Sequence, residues 1–311
     1  MSTLRILLAC VIGLAALATR SGGEEPSPKR ALLIGIDGLR FDALQASKTP
    51  HLDGLIDGGC YANNCLILGP RYRKSDTISG PGWSSILTGV WADKHGVHDN
   101  KFEGKNYEKF PHFFARLKQQ QPDLRTVSLV TWKPIAQHVV SSADVNRAFE
   151  DKSKDYARFD ALAADEAVNE MAKPDLTCMF FYVGQVDETG HKHGFHPSVV
   201  PYREAIERVD RHVGQVLTAM RARATYPQED WLVAVTSDHG GKGTGHGGGQ
   251  EIPEILNSLL IVSGNAAAGG AIAEQTYIVD APVTVLVHLG VDLQPEWQLD
   301  GRAVGLKPPT R

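Results

Sequence analysis

Residues 31–36, 125–132, 176–183, 231–236 and 256–262 are continuous apolar runs of strand length, and 61–68 is a weaker sixth. A strand exposed on one face alternates apolar and polar side chains. A run that is apolar throughout must be covered on both faces, which constrains this chain more than any other feature. Between the runs lie amphipathic stretches at 49–56, 110–119, 158–171 and 201–222. In the last, Ile206, Val209, Val213, Val216 and Met220 recur at three- and four-residue steps, the period of a helix with one buried face. Strands alternating with helices predict an α/β fold, a three-layer α/β/α sandwich around a mostly parallel sheet. No repeat or interdomain linker is visible, so one domain over 31–311 is expected.

The N-terminus reads differently. A short basic start through Arg5 precedes the apolar run 6–17, a small-residue pattern at 16–18 and a polar stretch. This is the layout of a signal peptide over 1–18, cleaved near 18–22, with a flexible linker over 19–30. The apolar run is short for a bilayer span, and no later run is apolar enough to cross one. An exported protein, periplasmic or extracellular and without stable membrane insertion, is therefore expected. A retained anchor and lipidation at Cys10 are the weaker alternatives. The net charge of −4 argues against a nucleic-acid polymer as partner, and oligomeric state is not legible. Cys178 reads as a buried small hydrophobe. Cys60 and Cys65 either pair locally or stay as thiols, with no second pair to complete a zinc knuckle.

Several runs end in residues that bind metals. Asp37 follows the first. Asp187 and His191 follow 176–183, Asp238 and His239 follow 231–236, and His246 lies in the glycine-rich stretch GGKGTGHGGG just beyond. Taken singly, each is more simply a cap, a turn residue or a surface histidine. Together they stand where ligands bind in α/β sheets, outside the carboxyl ends of strands. Mixed carboxylate and imidazole donors suit zinc and similar ions, and six exceed what one tetrahedral ion needs. Two divalent ions, zinc first among them, would serve in-line phosphoryl or sulfuryl transfer. A nucleophile is then required. The stretch SGPGWSSILTG offers Ser79 ahead of a Gly/Pro turn and a short helix, with Thr77 and Ser84 also in reach; for any such serine the plain alternative is a helix cap.

With these residues in place, the chain resembles the alkaline phosphatase superfamily and, within it, the type I phosphodiesterase/nucleotide pyrophosphatase branch. The resemblance runs from GIDGLR at Asp37, through TG and HG at Thr88-Gly89 and His95-Gly96, to SDHGG at Asp238. It implies an alkaline phosphatase-like fold and makes Ser79 the nucleophile, where the branch commonly has threonine. It implies one ion on Asp187, His191 and His246, and a second on Asp37, Asp238 and His239 together with the Ser79 oxygen. Asn100 matches an amide that holds a phosphate oxygen, and Tyr182 a tyrosine that lines the substrate. His193 and His196 miss the D-x(3)-H spacing and read as outer-shell or surface residues.

The implied activity is hydrolysis of a small phosphate ester, a diester above all, through a phosphoseryl intermediate. Three carboxylates against two divalent ions leave a charge that suits a monoanionic diester. A phosphomonoesterase or phosphonate hydrolase is the alternative, with Arg40, Arg71, Arg73 or Lys74 then reaching the substrate. A sulfatase is disfavoured, because Trp83 stands where the C/S-x-P-x-R motif needs arginine. An inactive secreted binding protein is disfavoured by the intact ligand set. One departure bears on substrate: nucleotide-cleaving members carry an aromatic residue after the nucleophile, and here it is Gly80, leaving Trp83 or Tyr72 as replacement platforms.

Overall fold

The computed structural model describes residues 27–308. The expected signal peptide and most of the expected linker lie outside them. Strand β1 (Lys29–Ile36) begins inside that linker. Lys29 and Arg30 pair with Asp230 and Trp231, and Arg30 reaches Glu229 at 3.4 Å, so both residues belong to the sheet.

The remaining strands are β2 (Gly59–Leu66), β3 (Arg125–Val130), β4 (Val145–Ala148), β5 (Leu176–Val183), β6 (Asp230–Thr236), β7 (Asn257–Gly264) and β8 (Gly270–Ala271). They form one eight-stranded sheet in the order β4-β3-β5-β1-β6-β7-β2-β8. All neighbours from β4 to β6 pair in parallel, and β7 alone runs against the rest. The helices are α1 (Phe41–Gln45), α2 (Pro50–Asp57), α3 (Ser79–Thr88), α4 (Ala92–His95), α5 (Phe113–Gln120), α6 (Tyr156–Met171), α7 (Gln185–His193), α8 (Val200–Arg221), α9 (Pro253–Leu256) and α10 (Asp280–His288).

Alternation along the central strands feeds two cores. Ala31 and Leu33 of β1, with Phe180 of β5 and Ala234 of β6, face a core shared with α3, α5 and α10. Leu32, Ile34 and Ile36, with Phe181 and Val235, face the core beneath α2, α6 and α8. The structure is thus the expected α/β/α sandwich with a mostly parallel sheet. Element ends differ from expectation by one to three residues. Leu256, taken as the start of the strand, closes α9 instead. Helix α10 gave no clear sequence signal because it is short and buried almost all round, its polar residues Asp280, Thr284 and His288 included. Cys60 and Cys65 are buried free thiols on one strand, Cys60 donating to Gly305 O at 3.2 Å, so the local disulfide is not formed.

Candidate active site

Strand register brings the scattered acids together. Gly35 of β1 lies level with Tyr182 of β5 and with Thr236 of β6, so the three central strands end flush. Asp37 emerges between its neighbours, its N–H donating to Val183 O at 3.1 Å. Asp238 emerges beside it and accepts from Gly38 N at 3.3 Å. Beyond β5, Asp187 and His191 lie in α7 rather than in a loop. Their i, i+4 spacing places them on one face, with His191 Nε2 3.4 Å from Asp187 Oδ2. From the glycine loop, His246 Nε2 comes within 3.4 Å of Asp187 Oδ1 and 2.9 Å of His191 Nε2. His239 Nε2 lies 3.4 Å from Asp37 Oδ1 and 3.2 Å from Asp238 Oδ2. Ser79, the first residue of α3, holds its Oγ 3.4 Å from the same His239 nitrogen. All seven residues expected to bind metal therefore meet in one place.

Each donor group is divided in the same way. Asp37 Oδ2 accepts from Trp83 Nε1 at 2.9 Å and from the Tyr182 hydroxyl at 2.6 Å, while Oδ1 has no hydrogen-bond partner. Asp187 Oδ1 and Asp238 Oδ2 are likewise buried without a hydrogen-bond partner. The Nδ1 atoms of His191, His239 and His246 face the carbonyls of Thr244, Gly240 and Thr77 at 2.9–3.0 Å. A carbonyl can only accept, so each Nδ1 carries a proton and each Nε2 faces inward; that of His191 meets Asp187 Oδ2 and becomes a ligand once its own proton is released. Three unpartnered carboxylate oxygens and three inward imidazole nitrogens are a donor set for cations. Two groups close enough to hold an ion are Asp37, Asp238 and His239, and Asp187, His239 and His246, and the distances above add His191 to the second.

The electrostatics agree. Burial raises Asp37 and Asp238 above the usual carboxylate range, and burial with the nearby Asp37 charge raises Asp187 to about 7. Burial pushes His239 and His246 down to about 3, whereas the hydrogen bond to Asp187 lifts His191 to about 9. Buried carboxylates without matching positive charge are what bound divalent ions stabilise. Helix α3 approaches so closely that a Cβ at Gly82 would stand 2.8 Å from Asp238 Cβ.

A pocket of about 210 Å³ opens over this cluster. Asn100 lies on its wall, its Oδ1 accepting from Gly80 N at 2.6 Å, which leaves the amide nitrogen as a donor. Tyr182 lines it too, with its hydroxyl committed to Asp37. Thr77 and Ser84 are spent elsewhere, on His246 O and on Gly80 O. Neither suggested aromatic platform is in place. Trp83 is fully buried in the core against Tyr182, and Tyr72 sits away from the pocket beside His98. Gly80 itself has no room, since a Cβ would meet Asp99 O at 2.6 Å. Arg40, Arg71, Arg73 and Lys74 do not line the pocket; Arg40 binds Phe195 O and Gly241 O, and Arg71 is paired with Asp93 and Asp300. His193 and His196 are exposed at the surface. His288 lies at the opposite end of the sheet, on the carbonyls of Arg30 and Asp230. Sequence reasoning missed four lining residues, Trp132, Tyr156, Gly184 and Glu188. Trp132 just past β3 and Glu188 next to Asp187 could have been found by extending the strand-end rule to every strand.

A family model described as type I phosphodiesterase/nucleotide pyrophosphatase matches residues 31–270. Bis(5'-adenosyl)-triphosphatase from Bos taurus is 24% identical over 255 residues, covering 76% of this chain and 53% of that protein. Ectonucleotide pyrophosphatase/phosphodiesterase family member 7 from Rattus norvegicus is 23% identical over 256 residues, covering 76% and 55%. The chain thus spans about half the length of these curated relatives. Among solved structures, an inactive variant of murine ectonucleotide pyrophosphatase/phosphodiesterase 5 in complex with AMP gives a TM-score of 0.64 at 14% identity, covering 86% of this chain and 96% of that one. A 2-O GAG sulfatase gives 0.68 at 14% identity, covering 89% and 73%. At such identity both show a shared fold.

Proposed function

Because the chain belongs to the type I phosphodiesterase/nucleotide pyrophosphatase family, we propose that it is a metal-dependent phosphodiesterase working through a phosphoseryl intermediate on Ser79. The observation that carries this reading is the convergence of six inward donor groups and one serine hydroxyl in a single cluster beneath the pocket. Asp187, His191 and His246 would hold one divalent ion, and Asp37, Asp238, His239 and the Ser79 oxygen a second; zinc suits the donors. When bound, the ions supply Lewis-acid stabilisation of the attacking and leaving oxygens.

The chain's own residues do the rest. Ser79 Oγ gives up its proton and bonds to phosphorus, the bond from phosphorus to the leaving oxygen breaks, and that oxygen departs protonated as an alcohol. Water then adds to phosphorus, the Oγ–P bond breaks, and a phosphomonoester leaves with the serine hydroxyl restored. Ser79 opens helix α3, whose positive end favours the developing charge. The Asn100 amide donates to a non-bridging oxygen, and Trp83 and Tyr182 hold Asp37 in place for its ion. The absence of any lysine or arginine from the pocket lining among the described residues supports a monoanionic diester over a dianionic monoester.

The test is a panel of diesters, monoesters, phosphonates and sulfate esters, each with zinc and with a chelator. Bis-aryl phosphate should exceed aryl phosphate in kcat/KM, and Ser79→Ala should lower turnover at least about a thousandfold, as loss of a nucleophile does. A fully loaded protein that leaves every ester intact ends the proposal. The N-terminal layout of residues 1–22 supports export to the periplasm or medium.

A further inference from the structure

Thr77, two residues ahead of Ser79, is a buried hydroxyl that the proposed chemistry leaves unused. It makes three hydrogen bonds to the segment that carries His246. Its Oγ1 donates to His246 O at 2.5 Å and accepts from Gly249 N at 2.8 Å, while its carbonyl accepts from His246 Nδ1 at 3.0 Å. Neighbouring bonds join the same two segments. Asp76 Oδ1 accepts from Gly248 N at 2.7 Å, and Gln250 Nε2 donates to Ser75 O at 3.0 Å. Packing does little to shape this part of the glycine loop, since a Cβ at Gly243, Gly245 or Gly248 would meet nothing within 4 Å. The His246 ring is held by Nδ1 on Thr77 and by Phe195 edge-on behind it, and it stacks on His239 at a centroid distance of 3.7 Å. On the other side of Thr77, Ile78 follows in extended backbone and its carbonyl accepts from Gly82 N at 3.1 Å. The place of Thr77 therefore sets where α3 begins and where Ser79 stands. One residue lies between a ligand of one ion and the hydroxyl beside the other.

We infer that Thr77 is a positioning residue that couples the two halves of the site, keeping His246 as a ligand and Ser79 as a nucleophile in one register, a role that rests on the two-ion phosphodiesterase reading. Only a hydroxyl donates and accepts at once, so serine can take its place and valine, of nearly the same shape, cannot. The test compares the native chain with Thr77→Val, Thr77→Ser and Gln250→Ala, the last of which cuts a bond between the same segments without touching His246. Competition with a chromophoric chelator gives the stepwise zinc affinities, and bis-aryl phosphate at saturating zinc gives kcat and KM. Thr77→Val should weaken one of the two zinc-binding steps about 10–100-fold, as losses behind metal ligands do, and leave the other unchanged. Its kcat should fall up to about a hundredfold with KM little altered, the effect of a nucleophile displaced by about 1 Å. Thr77→Ser should restore both, and Gln250→Ala should move neither. If circular dichroism shows that Thr77→Val does not fold, Thr77→Ala replaces it with the same expectation. Native affinity or native kcat in the variant without the hydroxyl, losses that serine does not rescue, or equal losses in Gln250→Ala overturn the inference while leaving the hydrolase intact. A native chain that takes up no zinc, or cleaves no diester when loaded, ends the hydrolase reading and this inference with it.

Discussion

Each histidine of the cluster uses Nδ1 on a backbone carbonyl and each carboxylate leaves one oxygen free, so the fold presents a donor set even before anything binds. Asp187 shows what this costs. Burial first, and Asp37 second, hold it at about 7 against an ordinary 3.8, so the folded chain keeps a proton that the unfolded chain has lost. In metal-free protein its stabilising contribution is complete below 3.8 and is lost as pH rises through about 7. His191, lifted by Asp187 to about 9 from 6.5, extends the loss upward through that second window. The unfolding midpoint of chelator-treated protein should therefore fall across this range, and Asp187→Asn should flatten the fall. Scanning calorimetry at stepped pH checks it, and an equally steep decline in the variant would refute it. At this scale the ligands were legible because an acid or histidine at the end of an apolar run keeps its place in any parallel sheet. Tyr156 was not, since an isolated aromatic at a helix start looks the same in a core and in a pocket.

Between elements, Phe195 acts as a wedge. It follows α7, and its ring meets His191 and His246 edge-on, at interplanar angles of 84° and 90°. Two glycines make room for it, because a Cβ at Gly190 or Gly241 would stand 2.3 or 2.2 Å from the ring. Its carbonyl and that of Gly241 both accept from Arg40, which ties the turn after β1 to both ligand-bearing segments. Phe195→Ala should cost about 3–5 kcal/mol as a fully buried aromatic. It should also weaken zinc binding about 10–100-fold, as losses behind metal ligands do. Competition against a chromophoric chelator measures the second effect; unaltered affinity would show that the wedge supports packing alone. None of this was readable beforehand. The glycine loop looked flexible by composition, yet Gly241 and Gly249 are packed against Phe195 and Ile255. Helix α10, buried almost all round, lacked the exposed polar face that sets off the apolar stripe of α8.

For the whole molecule, the alternating apolar runs were enough to foretell a sandwich with a mostly parallel sheet. The reversed direction of β7 and the edge position of β4 were not, because strand direction depends on pairing partners far apart in sequence. The cluster joins segments separated by some two hundred residues and lies at one end of the sheet. Ions that bind this assembled form and not the unfolded chain stabilise it by mass action. Removing them should lower the melting temperature, by about 2 °C for each kcal/mol lost in a chain of this size. Hydrogen exchange should then quicken at 37–42, 185–195 and 237–250. Around the buried Arg223–Glu229 pair at the opposite end it should not. Uniform quickening across the sheet would contradict this separation of the two ends.

Gly245 has open space where a side chain would go and an ordinary φ, and it sits between Thr244, which orients His191, and His246 itself. The native cysteines of the described residues are all buried. A thiol introduced at that position could therefore take a fluorescent dye selectively, turning the glycine loop into an optical gauge of ion occupancy that needs no substrate at all.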